Sequence, residues 1–276
     1  MAAASSESSL PALVFVPGEW HGPEIFDEVR SNLNERGYIT EAATLATHGA
    51  TDPNVGLAED VANIRSTIEK LVNEGNDVVV VAHSYGGVPS SCAVEGLGVI
   101  DLGAQGKKGG VIMVVYVTSF AIESGSSLLE SVGGAHPPWW NVQVSMKFRV
   151  VLLTRLTSLN PKGEFVTPSD PAIFYGDVEP PKAEKHIQAI RSMPLKAFKD
   201  ISTFTPWENG IEVGYIYAEE NQAVSLDIQI ELSSQLPASS FTESLSSSHM
   251  PFLSMPETLS DTIDQAAKRA VARKPR

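Results

Sequence analysis

Short apolar runs alternate with amphipathic stretches through the first half of the chain. Leu13-Val14-Phe15-Val16 is uninterrupted and closed by Pro17-Gly18, which reads as a strand covered on both faces. Pro23 to Arg36 changes to helical spacing, with Ile25, Phe26, Val29 and Leu33 on one face and Gly37 as the stop. Tyr38 to Ala43 suits a second strand. A loop with His48-Gly49 and Asp52-Pro53 follows, then a helix marked by Val61, Ile64, Ile68 and Leu71 and stopped near Gly75. Asp77 to Ala82 is a third strand and leads through Ser84 into a helix from Val88 to Leu97. Gly109-Gly110 opens a fourth strand, Val111 to Val117. Strands that alternate with helices predict a parallel sheet covered on both faces, with ligands bound beyond the carboxyl ends of its strands.

The pattern changes after Gly125. Residues up to about Thr205 hold helical fragments, several prolines and no strong strand series, which predicts a helical cap over the strand ends. The sheet resumes at Ile211 to Tyr217. A helix over Val224 to Leu236, a last strand over Ser239 to Leu245 and a last helix over Pro256 to Arg273 complete the chain. The expected organisation is a core of residues 1–124 and 206–276 with a cap of residues 125–205 inserted in it. About six strands are expected in the sheet.

Composition narrows the function classes. Acidic residues outnumber basic ones, 33 to 20, for a net charge of −13, which argues against nucleic acid or an anionic membrane as partner. The basic end, Lys268 to Arg276, reads as a solvated tail. The single cysteine, Cys92, rules out an intramolecular disulfide and suits a small core residue in the helix after Ser84. Met1 to Leu10 is rich in Ala and Ser with no basic start and no long apolar stretch, so no secretory signal is expected there. No segment approaches the roughly 18 apolar residues of a membrane span, and a cytoplasmic location is expected. No His/Asp/Glu cluster has metal-ligand spacing. Gly86-Gly87 and Gly109-Gly110 lack the lysine and hydroxyl of a phosphate loop. The expected partner is a small-molecule substrate, with no cofactor and no metal.

The candidate chemistry centres on Ala82-His83-Ser84-Tyr85-Gly86. A serine between small residues, at the point where a buried strand turns into a helix, has the context of a nucleophile elbow. A serine needs a base, and His249 follows the last strand, where its loop returns to the carboxyl edge of the sheet. An oxyanion hole needs two backbone N–H groups. Tyr85, directly after the serine, supplies one. The loop Pro17-Gly18-Glu19-Trp20-His21-Gly22 supplies the other, with the Glu19 N–H as the better donor and Gly18 letting the loop approach the serine.

With these residues the chain resembles the α/β-hydrolase superfamily, and within it the small esterases related to plant methylesterases and hydroxynitrile lyases. Val16-Pro17-Gly18-Glu19-Trp20-His21, Ala82 to Gly87, and Ser248-His249 with Pro251-Phe252 carry the likeness. It extends over the cap pattern from Phe174-Tyr175-Gly176-Asp177 to Ala197-Phe198 and over Pro206-Trp207. The resemblance implies a cofactor-free carboxylic ester hydrolase with Ser84 and His249 as catalytic pair. Hydroxynitrile lyases of the group carry threonine where this chain has Gly18 and lysine where it has Met250, so cyanohydrin cleavage is not expected.

Two positions depart from the family. Where the resemblance implies an aspartate behind His249, this chain has Asn221, and an amide cannot stabilise an imidazolium. Glu220 or Glu219 could reach His249 instead, Glu123 could have taken over, or the reaction could need only a weaker base; a neighbouring glutamate is the favoured expectation. Glu19 stands where a small apolar residue is usual. A charged side chain is expected to turn to solvent there. If it entered the pocket, it would oppose an oxyanion unless burial kept it protonated, and it could then serve as an acid. His21 and His83 are expected to organise hydrogen bonds beside the catalytic loops; His48, His136 and His186 carry weaker expectations. Trp20, Trp139, Trp140, Phe148, Phe174 and Tyr175 could pack the cap or shape an apolar pocket, together with Gly18, His21 and His83. The leading expectation is an esterase or lactonase for a small to medium apolar or aromatic substrate. A lyase, cyclase or carbon–carbon bond-cleaving enzyme of secondary metabolism is the alternative, and a non-catalytic ligand-binding relative the third.

Overall fold

A computed structural model of the chain describes residues 10–144 and 164–275. Phe148, one of the aromatic residues expected near the pocket, lies outside the described residues, as does most of the Ala- and Ser-rich start.

The strands in chain order are β1 (Ala12–Val16), β2 (Thr40–Ala42), β3 (Asp77–His83), β4 (Gly110–Val117), β5 (Trp140–Val144), β6 (Glu164–Pro168), β7 (Met193–Pro194), β8 (Glu212–Ala218) and β9 (Phe241–Leu245). Six of them form one sheet in the order β2-β1-β3-β4-β8-β9. Every neighbouring pair in it is parallel. β1, β3 and β4 lie where their apolar runs place them, because a strand sandwiched between two helical layers has no polar face to show. Each residue of β1 and β4 is buried.

Helices over Asp27–Glu35, Leu57–Asn73, Gly87–Ala93 and Pro256–Arg273 cover the sheet, and the last has the bounds that its periodicity predicts. The chain leaves β1 for β2 on one side and returns to β3 on the other. The connections therefore diverge between β1 and β3, and a crevice opens where their carboxyl ends meet. Val16 pairs with Ala82 at that edge, which brings the Gly18–Trp20 loop against Ser84.

The insertion between β4 and β8 is not only helical. It contains a second sheet, antiparallel, in the order β5-β6-β7. Its strands are short, carry Asn141, Gln143, Thr167 and two prolines, and offer no apolar run. Their pairing is therefore invisible to a search for buried strands. Trp20 ties this sheet to the core: its indole N–H donates to Val166 O at 2.9 Å, and its ring packs against Phe174 and Phe198.

Candidate active site

Ser84 sits on the turn between β3 and the helix Gly87–Ala93 with φ of 50°, a left-handed conformation that a side chain normally avoids. Neighbouring contacts hold it there. The carbonyl oxygen of Ser84 accepts from Ser119 Oγ at 2.7 Å and from the Phe120 N–H at 3.2 Å. Gly86 has no alternative at its position, since a Cβ there would lie 2.4 Å from Pro17 O. Gly18 is similarly constrained, because its Cβ would come within 2.8 Å of both His83 Nδ1 and Ser84 Cβ. Close approach of neighbouring atoms, backbone at Gly86 and the His83 and Ser84 side chains at Gly18, rather than turn flexibility, selects glycine at both places.

His249 lies in the loop after β9, and its Nε2 is 3.1 Å from Ser84 Oγ. The group on its other nitrogen is Asn221, with Nδ2 2.9 Å from His249 Nδ1. The amide orientation follows from its other bonds: Asn221 Oδ1 accepts from the Ala223 and Val224 N–H groups, both at 3.0 Å. That leaves Nδ2 to donate to His249 Nδ1, so the ring carries its proton on Nε2, facing Ser84. Thr118 Oγ1, 3.4 Å from Nδ1, can donate in the same direction. Burial, reinforced by His83 and His21, holds the imidazole pKa well below its usual range.

The expectation of a glutamate behind His249 is corrected. Glu220 and Glu219 are exposed, the Glu220 N–H is paired with Ser247 O, and the Glu219 carboxylate accepts from Ser246 Oγ. Beyond the end of β8 the chain turns Asn221 inward and both glutamates out. Glu123 is exposed as well.

Glu19 overturns the expectation of a solvent-facing side chain. It is 6 % exposed, and its Oε2 accepts from Ser84 Oγ at 2.9 Å and from the Tyr85 N–H at 3.1 Å. Its own N–H is directed at the same carboxyl. The two backbone donors expected to hold an oxyanion thus converge on one point, and a carboxyl oxygen of the chain itself stands there. Burial pushes the Glu19 pKa up, against the opposing pull of these three donors. Tyr85 is held in turn by its phenol, which donates to Asp60 Oδ2 at 2.7 Å. Asp60 also accepts from the Thr47 N–H and hydroxyl, and burial raises its pKa to about 6.

A cavity of about 440 Å³ opens beside Glu19, walled by Phe120, Leu128, Trp139, Trp140, Val224 and Ile228. This is room for a small to medium ligand with mainly apolar surface. Of the residues expected around a pocket, Trp139 and Trp140 line it, as does Glu19, against the expectation that its side chain faces solvent. Gly18, Trp20, His21, His83 and Tyr175 do not; they form the packed layer beneath. His21 donates from Nδ1 to Glu19 O at 2.7 Å and accepts from the Tyr175 hydroxyl at 2.6 Å, with its pKa lowered by burial to about 4. His83 donates from Nε2 to His249 O at 3.0 Å, and burial lowers its pKa to about 3. Both rings are neutral braces for the loops that bear Glu19 and His249. Ser84 is fully buried and does not line the cavity; Glu19 does, together with the polar His136, Gln222 and Ser225.

A parallel sheet with a serine on its central elbow and a histidine after its last strand defines the α/β-hydrolase class. The chain belongs to this family: the α/β hydrolase family model matches residues 13–262. It is similar to the α/β hydrolase nvfD of Aspergillus novofumigatus, 27% identical over 95% of this chain and 98% of the relative. It is also similar to norfluorocurarine synthase 2 of Strychnos, 24% identical over 94% of this chain and 96% of the relative. Among solved structures, the methylesterase MES16 from Arabidopsis superposes with a TM-score of 0.70 at 20% identity, over 94% of this chain and all of the other. That likeness establishes the fold. Membership in this family, with relatives named as hydrolases, makes the chain an enzyme. Among the described residues no helix is long and apolar enough to cross a membrane.

Proposed function

We propose that the protein is a serine-dependent hydrolase that opens a carboxylic ester or lactone of a small to medium apolar or aromatic substrate. One observation carries this reading. Ser84 Oγ lies beside His249 Nε2, and the Glu19 carboxyl oxygen that Ser84 Oγ touches also accepts from the Tyr85 N–H and is favoured in its charged form by the Glu19 N–H. Ser84 attacks the substrate carbonyl, the two N–H groups hold the oxygen that becomes negative, and the apolar cavity receives the rest of the molecule. Phe120, Trp139 and Trp140 suit an aromatic or branched apolar group. A fluorophosphonate probe tests the reading: Ser84 is expected to carry the adduct, and Ser84→Ala is expected to lose turnover. Absence of the adduct, or full activity in Ser84→Ala, overturns it.

A second reading is favoured by Asn221, which occupies the place of the acid behind His249. The same scaffold would then serve a lyase, cyclase or carbon–carbon bond-cleaving reaction of secondary metabolism, where no imidazolium need form. The presence of a synthase among the relatives supports it. A chain inert to simple aryl esters but active on a polyketide-like substrate, with activity dependent on His249, selects this reading over the first.

A further inference from the structure

We propose that Glu19 is the general base of this site and takes the Ser84 proton that a conventional triad hands to histidine. The proposal rests on the reading of Ser84 as nucleophile and follows from the direction of the hydrogen bonds around it. Asn221 donates to His249 Nδ1, so His249 donates from Nε2 to Ser84 Oγ. Ser84 therefore has its own proton free for the remaining neighbour, Glu19 Oε2, at 2.9 Å. The chain of donors runs from Asn221 through His249 and Ser84 and ends on a carboxylate. An imidazole already protonated on Nε2 cannot accept the serine proton. Asn221 would also give no compensation for the imidazolium that would result.

The carboxylate stands in the place where an oxyanion must form, and this becomes intelligible if it is the base. Before reaction the site holds one negative charge, on Glu19, stabilised by the Tyr85 and Glu19 N–H groups. As Ser84 Oγ bonds to the carbonyl carbon, its proton passes to Glu19. The π-electron pair moves to the carbonyl oxygen. Glu19 becomes neutral, releases the Tyr85 N–H, and the same two donors take the substrate oxygen. One charge moves between two atoms that share one hole, and no second charge is created in a buried site. Collapse of the intermediate breaks the bond to the leaving oxygen, which takes the proton from Glu19. Water then attacks the acyl-serine, gives its proton to Glu19, and Glu19 returns it to Ser84 Oγ as the acid departs. Burial of Glu19 favours the neutral form that each half-reaction passes through.

The test compares rates of Ser84 phosphonylation by a fluorophosphonate in the full-length chain and two variants. Glu19→Gln is isosteric and is expected to label about 100-fold more slowly, the usual contribution of a positioned base. Adding Asn221→Asp gives His249 Nδ1–H an acceptor, turns Nε2 into a proton acceptor, and is expected to restore at least about tenfold of the loss. Recovery also shows that the Glu19→Gln site is folded. Labelling of Glu19→Gln at or above the wild-type rate would mean that the carboxyl only blocks the hole, and overturns the proposal. A loss that Asn221→Asp does not recover also overturns it. Absence of any Ser84 adduct in the wild-type chain is a different failure, that of the nucleophile reading itself.

Discussion

Behind His249, Asn221 commits its carbonyl oxygen to two backbone N–H groups and presents an N–H to the imidazole. In front of Ser84, Glu19 presents a carboxyl that gathers the serine hydroxyl and two backbone N–H groups. The two sides of the serine thus have the polarity of a Ser-His-Asp site reversed, with the donor at the back and the acceptor at the front. The difference teaches that a nucleophile elbow can be kept while the direction of its proton relay is set elsewhere. Here it is set by one amide that is itself fixed by the turn after β8, and by one side chain in the loop after β1.

The comparison breaks most completely at Ser84, where the sides meet. Ser84→Ala is expected to lower turnover on the order of 10⁴-fold or more, as removal of a nucleophile does. The next effect ranks the sides against each other. His249→Gln keeps an N–H donor near Ser84 Oγ and is expected to cost about tenfold in kcat/KM. Glu19→Gln is expected to cost about 100-fold. In a histidine-based triad the order is reversed and the histidine loss is larger by orders of magnitude. Steady-state kinetics on one aryl ester with both variants checks the ranking.

A smaller effect separates the sides by pH. Glu19 must be ionised to accept a proton, and burial raises its pKa above the usual carboxylate range. The rate is therefore expected to climb as pH rises through that raised value and then level off. His249, whose pKa is held well below its usual range, contributes no limb near neutrality. The rising limb is expected to vanish in Glu19→Gln; its survival there would assign it to another group.

Much of this site was legible in residue order, and the remainder for identifiable reasons was not. Val78 to Val81 and Val111 to Val117 declare buried parallel strands, and Ala82 and Gly86 around Ser84 declare a crowded turn. Such features repeat along the chain and depend on size and polarity alone. The place of Glu19 depends on neither. A carboxylate enters the interior because two N–H groups, brought together by the β1 and β3 loops, leave a polar hollow beside Ser84, and that hollow exists only in three dimensions. Glu220 misleads for a related reason: which residue of the turn beyond β8 faces inward is decided by the hydrogen bonds of Asn221 to Ala223 and Val224, which only the folded turn brings together. The strands of the insertion escape notice because β6 and β7 each include a proline and β5, though it alternates, is only five residues long and offers no continuous apolar run.

The smallest effect concerns what holds the front side in place. The Tyr85 N–H faces Glu19 while the Tyr85 phenol donates to Asp60, a second buried carboxyl whose pKa rises from 3.8 to about 6. A carboxyl whose folded pKa is raised binds its proton more tightly in the folded state. Its contribution to stability is therefore full below about pH 3.8 and is lost as pH climbs through about 6. Tyr85→Phe removes a donor that favours the ionised form, so the Asp60 pKa is expected to rise further and the loss to extend to higher pH. Denaturant unfolding is expected to show the variant less stable by about 1.5–3 kcal/mol at pH 7, the usual cost of a lost bond to a charged group, and by less near pH 4.5, where Asp60 is largely neutral. Activity is expected to fall only a few-fold, because the backbone N–H remains. A deficit independent of pH would show that the phenol supports Tyr85 by packing alone, and that Asp60 has no part in fixing the donor that Glu19 and the substrate share.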